Sequence, residues 1–149
     1  MGIPEGGKVN SQVFQAGASL SPLKNGSKLI LSVDDEPAIL HTREKILRGE
    51  GYEVLNAADG EKALQMFAAS PPDLVLLDYV MPGVDGGIIA QQIKGRNPRV
   101  PIIMVSANQV PSEALTCVDC FVSKGQGPAL LLQQIRHLLE PLSDPQRCD

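Results

Sequence analysis

From Lys28 onward, hydrophobic and polar positions switch between two spacings. Lys28-Leu29-Ile30-Leu31-Ser32-Val33 is a short apolar run ending in acids, which predicts a buried strand. Pro37 opens a helix with Ile39, Leu40, Ile46 and Leu47 on one face, and Gly49 and Gly51 close it. Tyr52 to Ala57 predicts a second strand, with Asp59-Gly60 as the turn or cap after it. Ala63, Leu64, Phe67 and Ala68 stripe the next helix, which Pro71-Pro72 ends. Leu74-Val75-Leu76-Leu77 predicts a central strand, and a loop from Tyr79 to Gly86 leads into a helix carrying Ile88, Ile89 and Ile93. Pro101 to Val105 predicts a fourth strand and Asp119 to Ser123 a shorter fifth, with a weak helical segment near Ser112 to Thr116 between them. Pro128 opens a last helix through Glu140, with Leu131, Leu132, Ile135, Leu138 and Leu139 inward.

Five strands alternating with five helices, the fourth of them short, predict an α/β fold. Its parallel sheet is covered on both faces and its crossovers are right-handed. Residues 1–27 are rich in Gly, Ser, Asn and Gln and lack periodicity, so a flexible N-terminal extension is expected before a domain spanning 28–140. The tail 141–149 is too short to fold by itself.

Aromatic residues make up 3% of the chain and Trp is absent, so the core must be built from Leu, Ile, Val and Ala. A formal charge of −4 argues against a nucleic-acid surface, which needs clustered Lys and Arg. The three cysteines have no framework spacing, no signal-peptide pattern opens the chain, and no apolar run is long enough to cross a bilayer. A soluble cytoplasmic protein, without membrane or nucleic-acid partners, is expected. Cys117-Val118-Asp119-Cys120 has a dicysteine spacing, but zinc would need a second ligand pair. Two half-buried thiols are the expectation there.

In an open parallel sheet, ligands bind beyond the carboxyl ends of the strands, where strand order reverses. Strand one ends at Asp34-Asp35-Glu36, strand three at Asp78, strand four at Ser106-Ala107 and strand five at Lys124, while strand two ends in nothing reactive. That omission fits the order 2-1-3-4-5, with strand two at the edge. Three carboxylates, one hydroxyl and one ammonium should then meet on one rim. Carboxylates so placed repel unless a cation intervenes, and oxygen-only ligation points to Mg²⁺. Taken singly these residues have plainer readings: Asp34 and Asp35 as helix-capping residues, Asp78 as a turn former, Ser106 as a strand-end serine. Asp85-Gly86 reads as turn chemistry.

Leu31 to Pro37, Leu76-Leu77-Asp78-Tyr79-Val80-Met81-Pro82-Gly83-Val84-Asp85-Gly86, Val105-Ser106-Ala107 and Phe121-Val122-Ser123-Lys124 together resemble the receiver domains of response regulators, in the family's order and over about Lys28 to Glu140. The resemblance implies a flavodoxin-like, doubly wound fold and a phosphoacceptor signalling domain, not an enzyme beyond its own phosphorylation and dephosphorylation. It implies that Asp78 accepts a phosphoryl group from a histidine kinase or histidine phosphotransfer protein. It assigns Mg²⁺ to Asp34, Asp35, Asp78 and the Val80 carbonyl, phosphoryl contacts to Ser106 and Lys124, and switching to Ser106 and Phe121. Output is expected through protein contacts on the face of helix 4, strand 5 and helix 5.

Three features depart from the family pattern. Gly125 follows Lys124 where proline is usual, the span from Ser106 to Lys124 is short, and the cysteine segment replaces the usual Gly-Ala before strand five. They leave a degenerate receiver, an interaction module that never carries phosphate, as the alternative. A flavin- or nucleotide-binding enzyme of the same topology is disfavoured, because no glycine-rich loop follows strand one and few aromatics exist to stack a ring.

Overall fold

A computed structural model describes residues 26–140. The expected tail, and all but the last two residues of the expected extension, lie outside them. Five strands form one parallel sheet in the order β2-β1-β3-β4-β5: β1 (Leu29–Val33), β2 (Glu53–Ala57), β3 (Leu74–Asp78), β4 (Ile102–Ser106) and β5 (Cys120–Ser123). Among the described residues, four α-helices accompany them: α1 (Pro37–Gly49), α2 (Gly60–Ala69), α3 (Gly86–Arg96) and α4 (Pro128–Leu139). None of these helices is long and apolar enough to cross a membrane.

Strand alternation divides the core into two layers. Leu31, Val33, Val75, Leu77, Ile102 and Met104 point to one face and meet Ala63 and Phe67 of α2 and Ile89, Ala90 and Ile93 of α3. Their neighbours Ile30, Leu74, Leu76, Ile103, Val105 and Val122 point to the other, against Leu47 of α1 and Ile135 of α4. Every residue of β3 and β4 is buried, as expected of central strands covered on both sides.

The expectation of five helices is corrected here. Between β4 and β5 the described chain forms only a 3-10 turn, Ser112–Leu115. Pro111 removes one backbone donor at its start. The Thr116 hydroxyl donates to the Glu113 carbonyl, and the Val118 N–H goes to the Leu115 carbonyl, so the local bonds keep the short i to i−3 spacing. Asp119 then draws the chain into the sheet: its N–H donates to the Ile102 carbonyl at 2.8 Å, and its Oδ2 accepts from the Ile102 N–H and from Lys94 Nζ. So few residues, pinned at the far end, cannot complete the turns that make a helix self-supporting.

The expected output face changes with it. Among the described residues no fifth helix is present, and the surface beside β5 consists of the 3-10 turn, β5 and α4. On α3, Ile88 is exposed, and the buried stripe is Ile89, Ala90 and Ile93.

Candidate functional site

Asp34 lies one residue past β1, and its N–H donates to the Ala57 carbonyl at 3.1 Å. Its two oxygens divide their work. Oδ1 accepts the Glu36 N–H at 3.0 Å in a local turn that leads the chain into α1; the N-cap itself is Glu36 with no side-chain cap, so the helix-capping reading of Asp34 does not hold. Oδ2 is buried and accepts no hydrogen bond. It stands 2.9 Å from Lys124 Nζ and 3.6 Å from Arg43 Nη2, contacts of charge without hydrogen-bond alignment. Asp35, beside it, is exposed.

Asp78 closes β3 and is 4% exposed. Its Oδ1 accepts the Val80 N–H at 3.4 Å, and its Oδ2 lies 3.4 Å from Lys124 Nζ. Burial and then the charge of Asp34 push the Asp78 pKa up, against Lys124 and the Val80 N–H. Burial pulls the Lys124 pKa down, but Asp34 and Asp78 outweigh it and raise the value overall. Carboxylate oxygens of Asp34, Asp35 and Asp78 all come within 4.8 Å of one another. Oxygen-only donors, one of them buried without a hydrogen bond, fit a hard divalent cation such as Mg²⁺.

The loop behind Asp78 is built to hold it. Gly83 has φ +90°, a left-handed conformation open to glycine. The Gly86 N–H donates to the Tyr79 carbonyl at 2.8 Å, and a Cβ on Gly86 would overlap the Asp78 carbonyl oxygen and lie 2.9 Å from Tyr79 Cα. Asp85 accepts the Ile88 N–H and starts α3. Asp85-Gly86 is therefore turn chemistry, as read from the sequence.

Lys124 opens a second 3-10 turn, Lys124–Gln126. Gly125 does not leave this loop unsupported: Ser123 Oγ accepts the Gly125 N–H, and Gln126 Oε1 accepts the Ser123 N–H, forming a capping box. Ser106 is buried, and its hydroxyl accepts the Asn108 N–H at 3.2 Å, inside its own loop. Phe121 is 40% exposed, and the Val80 side chain is 53% exposed. Thus Asp34, Asp35, Asp78 and Lys124 meet, while the Ser106 hydroxyl is turned to its own loop and Phe121 is exposed. Cys117 and Cys120 are half-buried free thiols, as expected, and burial raises the Cys120 pKa.

One residue escaped the sequence reading. Arg43 is 7% exposed, donates from Nη1 to Ser32 Oγ at 3.2 Å, and faces Asp34 through Nη2. Burial lowers its pKa despite the pull of Asp34 and Asp78. The signal was its spacing: Leu40, Arg43 and Leu47 are the buried residues of α1, so this charge occupies the middle of the apolar stripe.

The family model for the response regulator receiver domain matches residues 30–136. Among curated proteins, the probable transcriptional regulator ycf27 of Cyanophora paradoxa is 39% identical over 122 residues, covering 79% of this chain and 51% of its own length. The chain thus spans about half the length of the curated relatives it matches. Among solved structures, the response regulator TrrA of Thermotoga maritima in complex with Mg²⁺ and beryllium fluoride is 36% identical, with a TM-score of 0.72 over 75% of this chain and 99% of that one. TrrA bound to the histidine kinase ThkA gives 35% identity and a TM-score of 0.71 over 76% of this chain and 99% of that one. Likeness over residues 30–136, with the strand order and acidic rim described above, establishes that the chain belongs to the response regulator receiver domain family of two-component signalling.

Proposed function

We propose that the chain accepts a phosphoryl group on Asp78, in a Mg²⁺-dependent reaction, from a histidine kinase or histidine phosphotransfer protein in the cytoplasm. One observation carries the reading: carboxylate oxygens of Asp34, Asp35 and Asp78 lie within 4.8 Å of one another, with the Lys124 ammonium between Asp34 and Asp78. Asp34, Asp35, Asp78 and the Val80 carbonyl would hold Mg²⁺, which would neutralise the developing charge on phosphoryl oxygens. Asp78 is the nucleophile: an oxygen of its carboxylate forms a bond to phosphorus as the donor's bond to phosphorus breaks, and the donor leaves with the electron pair. Lys124 neutralises the remaining charge, and Ser106 takes a phosphoryl oxygen once its hydroxyl turns from its own loop. The solved complex of TrrA with ThkA supports a kinase as donor.

The alternative of a module that never carries phosphate draws on a single observation, the 3-10 turn standing between β4 and β5. That feature concerns output and leaves the acidic rim whole. Incubation with Mg²⁺ and a small acyl phosphate separates the two readings: wild type acquires one phosphoryl group and Asp78→Asn acquires none. Equal labelling of both, or labelling of neither, would overturn the assignment.

A further inference from the structure

The acidic rim carries a second internal cation. Arg43 is buried in the middle of the apolar stripe of α1, between Leu40 and Leu47, where a hydrocarbon side chain would pack without cost. A guanidinium in that place must be balanced, and it is balanced by the site: Nη2 faces Asp34 Oδ2 at 3.6 Å and Nη1 donates to Ser32 Oγ at 3.2 Å. Lys124 holds the same Asp34 oxygen at 2.9 Å. Two cations therefore share one buried oxygen, which also belongs to the cluster suited to a metal. Arg43 has somewhere to go as well. It lines an open cleft of about 360 Å³ between α1 and α4, beside Thr42, Ile46 and Leu131, so it can leave Asp34 without repacking the core.

We propose that Arg43 is a positioning residue that competes with the divalent cation for Asp34, setting the metal affinity of the rim and holding Asp34 in place when no metal is bound. The inference rests on the reading of Asp34, Asp35 and Asp78 as the Mg²⁺ site. With Arg43 and Lys124 both charged, the three carboxylates keep a net charge of −1; removing Arg43 makes it −2. Removing one unit charge about 6 Å from a divalent ion strengthens metal binding by about tenfold even with the screening of bulk water. A lysine at this position keeps the charge but loses the planar fork that spans Ser32 and Asp34, so it should fall between.

Calorimetric titration of the full chain with MgCl₂ at neutral pH, for wild type, Arg43→Met and Arg43→Lys, decides it, with circular dichroism checking that each variant is folded. The expected order of affinity is Arg43→Met tightest, Arg43→Lys intermediate and wild type weakest. Equal affinity in all three, or weaker binding in a folded Arg43→Met, overturns the proposal. Should Arg43→Met fail to fold, Arg43→Lys against wild type carries the test alone, with equal affinity overturning it. Acyl-phosphate labelling at saturating Mg²⁺ keeps the two readings apart: a shifted affinity in a protein that never becomes labelled supports the role of Arg43 and removes the phosphoacceptor role of Asp78.

Discussion

Burial and the neighbouring charge of Asp34 raise the pKa of Asp78 above that of an ordinary carboxyl. A carboxyl whose pKa is higher in the folded state binds its proton more tightly there, so its ionisation costs stability. That cost is absent below the unfolded pKa, grows as pH rises, and is complete above the folded pKa. Without Mg²⁺, Asp78→Asn should therefore be more stable than wild type at neutral pH, and the gain should shrink as pH falls through the carboxylate range. Urea unfolding at a series of pH values reads this directly, and a gain independent of pH would contradict it. Two residues further on, the exposed Val80 side chain offers no hydrogen bond to a water approaching Asp78. Val80→Asn should shorten the lifetime of the phosphorylated protein several-fold, followed by loss of label after the donor is removed; an unchanged lifetime would show that position 80 does not orient that water. At this scale the site was legible wherever a reactive side chain ends a strand, as Asp34, Asp78 and Lys124 do. Arg43 was not: its spacing places it in line with Leu40 and Leu47, but nothing in the sequence supplies the partner for a buried charge until β1 brings Ser32 and Asp34 against it.

Elements meet at the site through backbone contacts that a sequence pattern registers only as turns. Gly86 opens α3 directly against the Asp78 carbonyl and Tyr79 Cα, so a methyl group there must push the helix start away from β3. Gly86→Ala should lower stability by about 1–3 kcal/mol, the usual cost of overpacking. It should also slow acyl-phosphate labelling, because Asp78 moves with its own backbone; chemical denaturation showing no loss would contradict the close packing. The five strands were readable because each is a compact apolar run between turn residues, and their order followed from which strands end in reactive groups. The missing helix was not readable from periodicity. Ala114 and Leu115 resemble one helical turn, and only the bonds of Thr116, Val118 and Asp119 show that it stops there. At Gly125, which stands where proline is usual, Ser123 and Gln126 cap the turn with side chains.

For the molecule as a whole, an intact acidic rim is joined to an altered surface beside β5. Ser106 points to its own loop and Phe121 is exposed, so any relay from the rim must reorganise residues between β4 and α4. Beryllium fluoride with Mg²⁺ should raise hydrogen-exchange protection over residues 108–127; equal protection in both states would mean that the rim is uncoupled from that surface. The central claim is chemical, and reductive trapping tests it most directly. After incubation with Mg²⁺ and an acyl phosphate, borohydride converts an aspartyl phosphate to homoserine, which peptide mass spectrometry can place in the sequence. The structure predicts homoserine at position 78 alone, dependent on Mg²⁺ and lost in Asp78→Asn. Homoserine at another acidic residue, or none in wild type, would contradict it.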